Sequence, residues 1–164
     1  MSDILVHTEA GVTTITFNRL EKKNSISSAM YAALADAVEA AAADTAVRVV
    51  LIQGHATIFS AGNDLGDFLN APPAGEESPV FRFMRAMVGF PKPVVAAVCG
   101  PAVGIGTTML MHCDLVVAGD NAEEPNPHRW GSLSATRVWL WHGRSFELTP
   151  AANAGRIDTM ICGW

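Results

Sequence analysis

Positive charge is thin in this chain. Eleven Lys plus Arg stand against 16 Asp plus Glu in 164 residues, a formal net charge of −5, and no lysine follows Lys92. A nucleic-acid binder carries the opposite balance on at least one face, so no nucleic-acid partner is expected. A local basic patch for a phosphorylated ligand is compatible with these numbers. Cysteine is also scarce. Cys99, Cys113 and Cys162 are odd in number, no two have a C-x-x-C spacing, and nothing resembles a zinc cluster. Cys99 and Cys113 lie in apolar runs and read as buried small hydrophobes. Long hydrophobic runs are missing: the apolar stretch 93–98 is far short of the roughly 20 residues that a membrane helix needs. Met1-Ser2-Asp3-Ile4 shows no basic region followed by an apolar core, so no signal peptide is visible. The expectation is a soluble cytoplasmic protein with no membrane partner and no metal. No repeat at solenoid or propeller periods occurs.

The residues that are present suit one globular domain, with 49% apolar and 16% charged residues. Residues 4–7 and 12–17 are β-rich and flank Glu9-Ala10-Gly11, which predicts an antiparallel hairpin. A helix is expected to begin after Ser27 or Ser28, either of which could cap it. Met30, Leu34, Ala37, Val38 and Ala41 give that helix one apolar face. Residues 47–53 read as a buried strand, continuous in apolar residues as parallel strands tend to be. A loop with Gly, Ser and Asn follows over 59–67, and 72–78 is an exposed surface segment. Phe81, Met84, Arg85 and Val88 predict a further helix, stopped before Pro91. Residues 93–98 and 114–118 read as two more buried strands. Between them lie a glycine-bearing turn, 100–106, and a helix over 107–112. Strands alternating with helices indicate a parallel sheet.

From about Asn121 the character changes. All four tryptophans lie there, and Arg129, Arg137, Arg144 and Arg156 are scattered without helical or strand periodicity. The expectation is a boundary at residue 122. Residues 1–122 form a partial core, and 123–164 form an atypical tail, read as frame-shifted or disordered. Glu123 and Glu124 are expected to be solvated, and His128 and His142 have no second ligand at metal spacing. His112 reads as a packed histidine on an apolar helix.

Two stretches carry the chemistry. Phe59-Ser60-Ala61-Gly62-Asn63-Asp64-Leu65 follows a strand, and Gly100-Pro101-Ala102-Val103-Gly104-Ile105-Gly106-Thr107-Thr108 joins a strand to a helix. Each places small residues where a backbone must approach a ligand closely. The second aims a helix N-terminus at whatever sits in the turn. Two N–H donors converging on one oxygen would make an oxyanion hole. A phosphate loop would need a Lys after these glycines, and none is there. A dinucleotide fingerprint would need a glycine at position 109, which is Met109.

Glu21-Lys22-Lys23-Asn24-Ser25, then FSAGNDL, then PVVAAVCGPAVGIGTTMLMHCDLVVAGDNA are similar, in order, to three signature regions of the crotonase superfamily, the enoyl-CoA hydratase/isomerase family. The resemblance covers roughly residues 4–122. It implies an α/β protein with the crotonase (ClpP-like) spiral of ββα units, here truncated and followed by an atypical C-terminal tail. It also implies an acyl-CoA thioester as ligand, with the coenzyme A carried by the substrate and no separate cofactor. Carried over residue by residue, the oxyanion donors are the backbone N–H groups of Asn63 and Ile105. Gly62 precedes the first donor, and backbone groups around Ala61, Asp64 and Leu65 match positions that cradle the adenine end of coenzyme A. Lys22, Lys23 and Asn24 match the segment beside its nucleotide. The resemblance also implies a trimer, as is typical of the family, with the expectation that this chain lacks the usual C-terminal assembly region. Where the family's hydratases carry a Glu on the helix after the glycine turn, this chain has Thr108. The resemblance therefore favours the Δ3,Δ2-enoyl-CoA isomerase-like branch over the hydratases. The alternative is a truncated, non-catalytic relative that at most binds coenzyme A or a full-length partner.

Overall fold

The computed structural model describes residues 2–70 and 72–119, and the backbone of two later strands, Arg137–Trp141 and Phe146–Thr149. Strands β1 (Ile4–Glu9) and β2 (Val12–Phe17) form the expected hairpin, in register from Ile4 opposite Phe17 to Glu9 opposite Val12. Its two-residue turn puts Ala10 and Gly11 at φ of 50° and 82°. Tight hairpin turns require that left-handed backbone. Helix α1 (Ser28–Ala43) follows, and the Oγ of Ser27 accepts the Met30 N–H at 3.4 Å as its N-cap. Its buried face is Met30, Tyr31, Leu34, Ala35, Ala37, Val38 and Ala41, the stripe that the spacing requires.

Strands β3 (Val49–Gln53), β4 (Val94–Val98) and β5 (Leu115–Ala118) pair in parallel, and β3 pairs in parallel with β2. Between β3 and β4 lie helices α2 (Leu65–Asn70) and α3 (Pro79–Val88). After β4 comes the one-turn helix α4 (Ile105–Thr108), which tightens into a 3₁₀ turn over Met109–His112. The core lies between the sheet and α1, with Ile15, Leu34, Val50, Phe59, Phe83 and Ala96 wholly buried. Each large apolar side chain so buried contributes about 1.5–3 kcal/mol.

Helix α3 lies where it was expected and buries Phe83 and Met87, with Phe81 and Val88 exposed. Three expectations need correction. Residues 65–67, expected in the loop, are the start of helix α2. The helix after the glycine turn begins at Ile105 and is one turn long. His112 is exposed at the end of the 3₁₀ turn, not packed, because a 3₁₀ turn rotates it off the face that an α-helix would bury.

Beyond residue 122, strand β6 (Arg137–Trp141) pairs antiparallel with β5, and β7 (Phe146–Thr149) pairs antiparallel with β6. The sheet runs in the order β1 to β7. Strand periodicity was not legible there because large apolar residues fall at both alternating positions of Arg-Val-Trp-Leu-Trp. Glu123, Glu124 and His128 lie outside the described residues, as does His142. Among the described residues no helix is long and apolar enough to cross a membrane.

Candidate active site

Neighbouring parallel strands β3 and β4 deliver their C-terminal ends into two loops that lie against each other. The N–H groups of Phe59 and Ser60 donate to the Pro101 carbonyl at 3.1 and 3.2 Å, and the Val103 N–H donates to Ser60 O at 2.9 Å. This approach depends on glycine. A Cβ on Gly62, whose φ is +86°, would fall 2.8 Å from the Val103 carbonyl oxygen. A Cβ on Gly106 would meet Ser60 Cβ at 3.0 Å. The first contact is closer than side chains tolerate and the second is tight, so the close approach of the loops requires glycine at position 62 and is eased by it at 106.

The direction of the two proposed donors follows from peptide geometry. No peptide among the described residues is cis, so each C=O points opposite to the following N–H. The Gly62 carbonyl accepts the Ile26 N–H at 2.8 Å. The Asn63 N–H therefore points away from residue 26, while the Asp64 N–H turns back and donates to Ile26 O at 2.9 Å. At the other loop the Gly104 carbonyl accepts from Thr107 and Thr108 at 3.0 and 2.9 Å, down the axis of α4. The Ile105 N–H is thus left pointing out of the helix start. Among the described residues neither the Asn63 nor the Ile105 N–H has a hydrogen-bond partner. Their neighbours Ala61, Gly62, Asp64, Val103, Gly106, Thr107 and Thr108 all donate within the protein.

Side chains from the first third of the chain hold the Gly62 loop in place. Asn24 is fully buried, and its Oδ1 accepts the Arg19 N–H at 2.9 Å. Its Nδ2 donates to Phe59 O at 3.1 Å and Ile58 O at 3.3 Å. Arg19 Nη1 reaches Asp64 Oδ2 at 2.7 Å. Asp64 Oδ1 accepts the Asp67 N–H at 3.1 Å and so caps α2. The Asp67 N–H, and after it the Arg19 guanidinium, hold the Asp64 carboxyl below its ordinary range. Asp67 Oδ2 in turn accepts the Ser28 N–H at the start of α1, at 2.6 Å. The Tyr31 hydroxyl donates to Asn63 Oδ1 at 2.5 Å. Burial pushes the Tyr31 hydroxyl well above the usual phenol range, so it remains a neutral donor.

The residues named from the sequence are partly brought together. Lys22 and Lys23 are exposed on a 3₁₀ turn, and the Lys23 carbonyl accepts the Ala61 N–H at 2.9 Å, which places this basic segment beside the loop. Asn24 lies beneath the surface of this segment. Its amide is enclosed and committed, and it serves to position Arg19 and residues 58–60. Of the proposed adenine-binding groups, the Ala61 and Asp64 N–H donors are already used, while Leu65 is 75% exposed. Thr108 is exposed on α4. Sequence reasoning missed Arg19, Tyr31 and Asp67. Tyr31 left one signal, as the single polar side chain on the apolar face of α1.

Residues 7–142 match the family model described as enoyl-CoA hydratase/isomerase. Human enoyl-CoA delta isomerase 2 is 38% identical over 131 residues, covering 76% of this chain and 33% of that protein. The 2,3-dehydroadipyl-CoA hydratase of Escherichia coli K12 is 36% identical over 125 residues, covering 74% and 48%. Among solved structures, Pseudomonas aeruginosa OdaA is 54% identical with a TM-score of 0.72, covering 76% of this chain and 51% of that one. A model spanning most of the chain, met by relatives of both chemistries, defines an α/β protein of the crotonase class. The chain belongs to the enoyl-CoA hydratase/isomerase family. It spans between a third and a half of the length of the curated relatives named here. The match continues past residue 122 to His142, which takes in strand β6.

Proposed function

We propose that this chain binds an acyl-CoA thioester and stabilises its enolate between the backbone N–H groups of Asn63 and Ile105. The observation that carries this reading is the pair of N–H groups without partners among the described residues, on two loops that touch, beside Gly62, Asp64, Gly106 and Thr107, which donate internally. Negative charge develops on the thioester oxygen when a proton leaves the α-carbon, and each fixed donor there is typically worth about 10²–10³ in rate. In the isomerase reading a proton leaves C2 of a 3-enoyl thioester, the dienolate oxygen is held, and a proton returns at C4. Coenzyme A arrives with the substrate, and exposed Lys22 and Lys23 suit its phosphates. Asp64 is not the proton carrier, because its carboxylate is committed to Arg19 and to the cap of α2. Thr108 cannot do carboxylate chemistry near neutral pH, which favours isomerisation over hydration.

Assays with 3-enoyl-CoA and crotonyl-CoA test this reading. Turnover of the first above buffer, falling by about 10² or more in Asn63→Pro, is the expected outcome. Hydration of crotonyl-CoA without isomerisation would overturn the isomerase preference. Coenzyme A binding with neither turnover would favour a non-catalytic relative. Unchanged turnover in folded Asn63→Pro would remove this oxyanion site.

A further inference from the structure

We propose that Tyr31 is a positioning residue for the Asn63 donor, a role that rests on the oxyanion reading above. Helix α1 buries seven side chains, and six of them (Met30, Leu34, Ala35, Ala37, Val38 and Ala41) have no polar side-chain atom. Tyr31 is the exception, 2% exposed, with its ring tilted against Phe83 at 5.9 Å between centroids. Packing alone would be served as well by phenylalanine. A buried hydroxyl is costly without a partner, and here its partner is Asn63 Oδ1 at 2.5 Å.

What that bond restrains is the peptide bearing the donor. The Gly62–Asn63 peptide is anchored at its carbonyl by one hydrogen bond from Ile26, which acts as a pivot. On one side is Gly62, at a φ of +86° and without a side chain to limit rotation. On the other side the Asn63 side chain is exposed, and the next backbone bond, from the Asp64 N–H to Ile26 O at 2.9 Å, lies on the far side of Asn63. The Tyr31 bond ties the Asn63 side chain to a helix embedded in the core. It narrows the rotation about Asn63 that would tilt the N–H off an oxygen placed between the loops. Electrostatic stabilisation depends on donors that are already aimed, so a modest loss of alignment appears in the rate and not in binding.

The test uses crotonyl-CoA labelled with ¹³C at the thioester carbonyl, bound to the full chain and observed by NMR, together with turnover of 3-enoyl-CoA. Hydrogen bonding to the carbonyl moves its resonance downfield. The unaltered chain should show that shift, and Asn63→Pro should lose it. Tyr31→Phe and Asn63→Ala should each lose part of it, with kcat down about three- to tenfold and KM little changed, the scale of one net hydrogen bond. The double variant should be no worse than either single, because both remove the same bond. If Tyr31→Phe fails to fold, Asn63→Ala decides alone, since it removes the bond from the exposed side. A full carbonyl shift with full kcat in Asn63→Ala or in folded Tyr31→Phe would overturn the positioning role and leave the oxyanion reading standing. Additive losses in the double variant would overturn it too. No shift in the unaltered chain would instead sink the oxyanion reading, and the positioning role with it.

Discussion

At the level of single residues, the buried amide of Asn24 distinguishes architecture from ligand contact. Three partners (the Arg19 N–H and the carbonyls of Ile58 and Phe59) meet one side chain inside the protein. Its own carbonyl takes a fourth bond, from Ser60 Oγ at 2.9 Å. Asn24→Ala strands groups that water cannot reach, and the cost should be roughly 2–4 kcal/mol in a urea unfolding experiment. Coenzyme A affinity of the folded fraction should barely change. A variant as stable as the parent with weakened coenzyme A binding would restore Asn24 to the ligand. Gly62 makes the converse point, since it contributes no side-chain group at all. Its worth is the absence of a Cβ that would strike Val103 O at 2.8 Å.

At the level of elements, α2 is built into the site by two carboxylates. Asp64 caps it and pairs with Arg19, and Asp67 reaches across to the first turn of α1. The Asp64 carboxyl sits below its ordinary range when folded. The folded state thus favours the ionised form, and its stabilisation is complete above the unfolded carboxylate range near about pH 4. It is lost as pH falls through the lower, folded value. The urea midpoint should therefore drop on acidification from about pH 5 to pH 3, and Asp64→Asn should drop less over the same interval. An equal drop in both would show that other carboxylates carry the acid sensitivity. Why α2 was not legible in the sequence follows from the same bonds. Leu65, Phe68 and Leu69 are all exposed, so no buried stripe exists to read, and the helix is held by its caps. Helix α1 was legible because burial writes its period into the chain, the parallel strands because their apolar runs are continuous, and the hairpin because β-rich runs flank a glycine turn. Asn63 and Ile105 were nominated through glycine turns and family resemblance. The Tyr31 bond spans 32 positions, a separation that no local pattern encodes.

At the level of the whole molecule, the question is what lies along the outer side of β5. The change in composition after residue 122 suggested that the core stops there. The family match nevertheless runs to His142, and β6 lies against β5 with Val116 opposite Trp139 and Ala118 opposite Arg137. These are different physical situations for one four-residue strand. Paired with β4 alone, β5 would be an edge whose outer N–H and C=O groups exchange freely and recruit other chains. With β6 in place it is an interior strand with both rows of backbone groups satisfied. Its residues Val116, Val117 and Ala118 are buried, so an unpaired edge here would also be an apolar one. The pairing predicts that the amides of Leu115–Ala118 resist hydrogen exchange as strongly as those of β4. A chain stopped at residue 122 should lose protection in alternate amides of β5 and self-associate as concentration rises, detectable by light scattering. Should protease treatment of the full chain instead leave a monomeric core ending near residue 122, with β5 protection unchanged, the later strands would be dispensable. The boundary read from composition would then be the physical one.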